Sequence, residues 1–207
     1  MTELRAEKLR VAVLISGRGS NMVALIEAAK AADYPAAIVL VLSNNPDAAG
    51  LAYAYKSGIA TAVVDHRPFR DDRASFERAL DAQLQAHRAD FMCLAGFMRL
   101  LTPEFVRRWS GRMLNIHPAL LPMFKGLHTH RRALDAGVRE HGATVHFVVP
   151  EMDSGPIVLQ GSVPVMDGDT EEVLAQRVLE VEHRIYPQAL RMVAEGRTKF
   201  AVVQNLP

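Results

Sequence analysis

Arg10-Val-Ala-Val-Leu-Ile-Ser-Gly-Arg-Gly-Ser-Asn21 runs from an unbroken apolar stretch straight into two glycines, and a helical pattern follows from Met22 to Ala32. A short apolar run without alternation suits a central parallel strand buried on both faces. Strand, glycine-rich turn and helix form one βα unit, which sets the class of the fold as α/β. The turn Gly17–Asn21 aims backbone N–H groups and a helix N-terminus at one point, the arrangement that receives an anion. Met22 stands where a dinucleotide fingerprint needs its third glycine, and no Gly-Lys-Ser/Thr follows, so neither a dinucleotide loop nor a Walker loop fits. Two readings stay open here: a plain turn with Ser20 or Asn21 as helix N-cap, or a cradle for one phosphate.

Outward from that unit the alternation continues. Ala36–Ser43 is a second strand, and a short helix to Lys56 stops at Gly58, a helix-terminating glycine. Thr61–Asp65 is a third strand. The charged loop His66–Arg73 leads into a long amphipathic helix reaching about His87, with Phe76, Leu80 and Leu84 as its core stripe. Phe91–Ala95 is the fourth strand. It ends in Gly96-Phe-Met-Arg-Leu-Leu101, which is apolar for a loop and lies at a strand's C-terminal end, where open α/β sheets bind ligands. That segment either covers the core or lines a pocket for a flat aromatic ligand.

After a short helix at Pro103–Trp109 comes Met113-Leu-Asn-Ile-His-Pro-Ala-Leu-Leu-Pro122. Met113, Leu114 and Ile116 read as the end of a buried strand that Pro118 forbids from continuing. Asn115 and His117 are two apart, so both side chains share a face. An amide donor beside an imidazole suits acyl chemistry: one holds an oxyanion, the other carries a proton. A strand-end Asn bonded to its own turn and a packing His would give the same sequence. A helix over His128–Ala136, a strand over Thr144–Val149, a tight turn Pro150–Pro156 carrying Asp153, and a strand over Ile157–Val165 follow. Asp169-Thr-Glu-Glu172 resembles a capping box and opens a helix expected to bend or break at Pro187. Phe200–Val203 reads as an edge strand. The prediction is one domain over 1–207: an open, mostly parallel Rossmann-like sheet with helices on both faces and an antiparallel hairpin extension in the C-terminal half.

Composition narrows the classes. The 207 residues are 49% hydrophobic, enough for a sizeable core, and no run is long and apolar enough to span a bilayer. A net charge of +1 argues against a nucleic-acid surface or electrostatic membrane binding. Residues 1–10 are polar and mixed in charge, with no signal-peptide pattern. Cys93, the one cysteine, lies in an apolar run and fits a buried hydrophobe in a reducing cytoplasm. His128 and His130 do not by spacing make a metal site, since no third ligand is placed.

Six motifs then act together: Gly17-Arg-Gly-Ser-Asn21, Gly96-Phe-Met-Arg99, Asn115-Ile-His117-Pro-Ala-Leu-Leu-Pro122, Gly126-Leu-His-Thr-His130, Asp153-Ser-Gly-Pro156 and Glu182-His183. In this order, over nearly the whole chain, they resemble the phosphoribosylglycinamide formyltransferase family of the folate-dependent formyltransferase superfamily. Two departures are small: Ala119 replaces the usual Ser, and Met123-Phe-Lys is one of several variants of that turn. The resemblance implies an enzyme that transfers formyl from 10-formyltetrahydrofolate, a co-substrate, to the amine of 5'-phosphoribosylglycinamide, with no metal. It implies Asn115 as oxyanion donor, His117 as second catalytic group, and Asp153 as the acceptor that keeps the imidazole charged near neutral pH.

By the same resemblance Gly19, Ser20 and Asn21 hold the ribonucleotide phosphate and Glu182 meets the glycinamide end. Met98, Arg99, Leu100 and Leu101, with Asn115, line the folate pocket; Arg73 meets the folate's glutamate tail; the backbone of Val149–Asp153 reads the pterin edge. Residues 1–100 form the ribonucleotide-binding half and 101–207 the catalytic and folate-binding half. The partners implied are the two small molecules, with a monomer or homodimer and no nucleic acid or membrane. Four rivals remain, the weakest a nicotinamide oxidoreductase, given the broken dinucleotide fingerprint. A formyltetrahydrofolate deformylase shares the Asn-His-Asp set but is expected to carry a further N-terminal domain and has no need of the glycine loop. A methionyl-tRNA formyltransferase is expected to carry a C-terminal RNA-binding domain and a more basic surface. A non-catalytic folate- or nucleotide-binding module on the same fold is the third.

Overall fold

A computed structural model describes residues 7–198. The proposed strand at 200–203 lies outside the described residues. Seven strands form one sheet: β1 (Leu9–Ile15), β2 (Ala36–Ser43), β3 (Thr61–Val63), β4 (Phe91–Leu94), β5 (Met113–His117), β6 (Glu140–Phe147) and β7 (Ile157–Pro164). Their order is β3-β2-β1-β4-β5-β6-β7. The β3–β5 part is parallel, and β6 and β7 add antiparallel. The helices are α1 (Ser20–Ala29), α2 (Gly50–Lys56), α3 (Arg73–Ala86), α4 (Pro103–Arg108), α5 (Thr129–Asp135) and α6 (Glu171–Ala194).

Alternation along β1 divides the core in two. Val11, Val13 and Ile15 face α1, α2, α5 and α6; Ala12 and Leu14 face α3 and α4. Phe76, Leu80 and Leu84 are buried in the second cluster, as their spacing predicts. The rule carries to β5, where Leu114 and Ile116 pack under α6 and Met113 packs on the α3 side. Asn115 and His117 therefore continue the Met113 face, beyond the point where α4 covers it. Two buried carboxylates on α3 fix the neighbouring elements. Asp81 accepts from Trp109 Nε1 at 2.8 Å and pairs with Arg108; Glu77 accepts from the backbone N–H and hydroxyl of Thr102. Thr102 in turn caps α4 by accepting from Phe105 N–H at 3.2 Å.

Four expectations are corrected. β3 ends at Val63 rather than Asp65. β6 begins at Glu140, four residues before Thr144, because Gly142 hides a strand in a weak pattern: a Cβ there would lie 2.0 Å from the Gly161 carbonyl oxygen. Such close approach admits only glycine. α6 does not end at Pro187 but runs 24 residues through it. A mid-helix proline costs roughly 3 kcal/mol, but Ile185, Tyr186, Ala189, Leu190 and Val193 are all buried around it. Burying side chains of this size contributes about 1.5–3 kcal/mol each for the larger ones, which outweighs that cost. The cap of α6 is Thr170, accepting from Val173 N–H, while Asp169 pairs with Arg177.

Candidate active site

Two groups of residues meet at the C-terminal ends of the parallel strands. In the first, β1 turns through Gly17–Asn21 into α1. Gly19, not Ser20 or Asn21, occupies the cap position, with φ 71°, and no side chain caps the helix. Glycine is needed there because the backbone is left-handed, and an added Cβ would meet Met22 Cε at 3.2 Å and Gly50 Cα at 3.4 Å. With no cap in place, the first-turn N–H groups face out toward any anion. Asn21 Nδ2 donates to Glu182 Oε2 at 2.5 Å, joining α1 to α6, while its Oδ1 is buried without a partner. Burial raises the Glu182 carboxyl above its usual range, against the lowering effect of the Asn21 bond. A cavity of about 290 Å³ opens between Ser16–Asn21 and the Ala95, Gly96 and Met98 wall.

In the second group the register of β5 on β6 sets Asn115 opposite His146 and His117 opposite Thr144. Asn115 Nδ2 lies 3.3 Å from His146 Nε2. His146 Nδ1 is 2.9 Å from the Phe147 carbonyl, to which it must donate. Burial holds the His146 imidazole below its ordinary pKa, so the neutral ring leaves Nε2 as acceptor for the Asn115 amide. That contact fixes which end of the Asn115 amide faces the site.

His117 is buried and has both nitrogens near acceptors. Nε2 donates to the Phe124 carbonyl at 3.0 Å, and Nδ1 lies 3.5 Å from Asp153 Oδ2. The latter is ion-pair distance, longer than a good hydrogen bond. Asp153, at φ 49°, is held by Gly126 N–H at 2.8 Å, and its other oxygen is 3.7 Å from His146 Nε2. Four side chains from β5, β6 and the β6–β7 turn thus share one spot: Asn115, His117, His146 and Asp153. A second cavity, of about 110 Å³, is lined by Leu121, Pro122, Lys125 and the Asp153–Gly155 turn.

The remaining predicted residues fall as follows. Met98 and Leu100 are exposed, while Leu101 packs partly into the α3-side core. The Arg73 and Arg99 guanidinium groups make no hydrogen bond or ion pair among the described residues. Arg73 opens α3. His128 precedes α5 at φ 56°, and His130 Nδ1 is 3.2 Å from His141 Nε2; no group of three ligand-type residues among those described is placed to hold a metal. Sequence reasoning missed His146. Its only signal was a place in the 144–149 strand, and the register that pairs it with Asn115 is not local.

A sheet of this order brings an amide, an imidazole and a carboxylate together at one strand end, and the chain belongs to the Formyl transferase family, whose model matches residues 9–190. Within it, the chain is 47% identical over 192 residues to phosphoribosylglycinamide formyltransferase of Escherichia coli strain K12, covering 93% of this chain and 90% of that protein. It is 50% identical over 197 residues to the trifunctional purine biosynthetic protein adenosine-3 of Bos taurus, covering 95% of this chain but only 19% of that protein's length. Among solved structures, phosphoribosylglycinamide formyltransferase from Brucella melitensis superposes with TM-score 0.87 at 52% identity, over 94% of this chain and 100% of that one. Glycinamide ribonucleotide transformylase 1 from Symbiobacterium toebii gives TM-score 0.91 at 43% identity, over 95% and 92%.

Proposed function

We propose that this chain transfers the formyl group of 10-formyltetrahydrofolate to the amine of 5'-phosphoribosylglycinamide, the reaction that names its bacterial relatives. The observation that carries the reading is Asn115 and His117 held side by side at the end of β5, with Asp153 at ion-pair distance. The amine attacks the formyl carbon, the carbonyl π pair moves to oxygen, and a tetrahedral intermediate forms. Asn115 Nδ2, oriented by His146, donates to that oxygen, a contact of about 3–4 kcal/mol in the barrier. His117 Nε2 exchanges the Phe124 carbonyl for the same oxygen, with Nδ1 facing Asp153. Collapse breaks the C–N10 bond; the proton lost by the amine reaches N10, with His117 assisting, and the products are the formamide and tetrahydrofolate. The amine is itself the nucleophile, so neither a covalent enzyme intermediate nor a metal is required.

The binding roles follow the same division. Gly19, Ser20 and Asn21 take the phosphate through the uncapped start of α1, and Glu182 positions the glycinamide end. Met98, Arg99, Leu100 and Leu101 take the folate with Asn115, Arg73 takes its glutamate tail, and the backbone of 149–153 reads the pterin. In the single domain over 1–207, residues 1–100 serve the ribonucleotide and 101–207 serve catalysis and folate, with Glu182 reaching across to Asn21. The protein works as a monomer or homodimer on these two small molecules, without nucleic acid or membrane, in a reducing cytoplasm. The buried Cys93 thiol, pushed up to about 12, suits that compartment; no described helix is long and apolar enough to cross a membrane. The test is 10-formyltetrahydrofolate turnover with and without glycinamide ribonucleotide. Turnover that requires the ribonucleotide is expected. Equal turnover without it points to a deformylase, and none in either case points to a binding module.

A further inference from the structure

The stretch 96–101, which the functional reading assigns to the folate, has no helix or strand of its own. Its flanks are tied down: Ala95 N–H donates to the Leu14 carbonyl at 2.9 Å, and Thr102 is held by Glu77. Between them, among the described residues, its backbone makes one hydrogen bond, from Met98 N–H to Ser16 Oγ at 2.7 Å. Ser16 Oγ donates its own hydrogen bond to Asn44 Oδ1 at 2.5 Å, so the hydroxyl has one fixed direction for giving and one for receiving. Ser16 is also the residue from which the phosphate loop departs, and it lines the 290 Å³ cavity between that loop and Met98.

We propose that Ser16 is a positioning residue that couples the ribonucleotide site to the folate site. An anion gripped by Gly17–Asn21 restrains that backbone and with it Oγ, the one hydrogen-bond partner of the 96–101 backbone among the described residues, while Phe97 and Leu101 rest on the core. The folate then meets a wall whose ordering has already been done, and the two ligands favour each other without any large movement. The coupling is reciprocal, because it is a property of the ternary complex. The inference rests on the functional reading above.

The experiment titrates the full chain calorimetrically with tetrahydrofolate, in the absence and presence of saturating glycinamide ribonucleotide. For the wild type the Kd for tetrahydrofolate should fall about five- to tenfold with the ribonucleotide, at the lower end of ordinary couplings. In S16A that ratio should collapse to about one to two, while S16T, which keeps the hydroxyl, restores it. Exchange of the Met98 amide proton should slow on ribonucleotide binding in the wild type and not in S16A. Should S16A fail to fold, N44A, which removes the acceptor that orients the hydroxyl, is read the same way. An S16A ratio equal to the wild type's overturns the proposal. A wild type that binds both ligands independently overturns the coupling alone, and one that does not bind the ribonucleotide overturns the functional reading with it.

Discussion

The glycine turn after β1 and the end of β5, strands separated only by β4, are built from different materials. Gly17–Asn21 offers backbone: a left-handed glycine, an uncapped helix start, and an amide shared with Glu182. The strand end offers side chains, and each needs another to be placed: His146 for Asn115, and the Phe124 carbonyl and Asp153 for His117. In the proposed reading, binding by backbone is local in sequence and set by one turn. Catalysis by side chains, in the same reading, is non-local and set by strand register and by the turn that carries Asp153. Damage to the first should raise a KM, and damage to the second should lower kcat.

The sharpest way to break that division is Asp153→Asn, which leaves shape but removes the charge beside His117. A loss of about 10²–10⁴ in kcat with both KM values nearly unchanged is expected, the range for general acid–base groups. A rise in KM alone would blur the distinction. Gly19→Ala probes the other region, since a Cβ at φ 71° strains the loop by about 1–2 kcal/mol. Steady-state kinetics should show KM for the ribonucleotide up about tenfold, with folate KM and kcat held. His146→Phe removes the Nε2 acceptor that orients Asn115, together with the Nδ1 donor to the Phe147 carbonyl. A neutral hydrogen bond is worth about 0.5–1.5 kcal/mol, so kcat should fall about three- to tenfold with no change in KM.

A last effect falls on stability and not on rate. Burial, with His130 and His117 nearby, pushes the His141 imidazole down to about 4. Its unfolded value is about 6.5, so between these two values the unfolded chain binds the extra proton. Stability is then full above about pH 6.5 and declines as pH falls toward 4. Thermal unfolding should show a lower Tm at pH 5 than at pH 7, and His141→Asn should flatten that slope. An unchanged slope in the variant would assign the pH dependence to other groups.

The same contrast explains what the sequence could disclose. β1, the turn after it, β4 and the end of β5 were legible because their signals are local: apolar runs, two glycines, and Pro118 after His117. The sharing of a face by Asn115 and His117 followed from strand periodicity alone. His146 was not legible as a partner, because only the antiparallel register of β6 brings it opposite Asn115. The start of β6 was masked by Gly142, whose purpose is contact with β7, and the passage of α6 through Pro187 depends on packing that no window of residues contains. Ser16 read simply as the last residue before a turn, and its bond to Met98 spans 82 positions.

The most direct test of the account is the single-turnover rate of formyl transfer by Asn115→Ala at saturating concentrations of both substrates. Loss of one oriented oxyanion donor predicts a rate about 10²–10³ below wild type, with substrate affinities retained. A rate within about threefold of wild type would contradict the assignment of Asn115, and with it the division between a backbone that binds and side chains that catalyse.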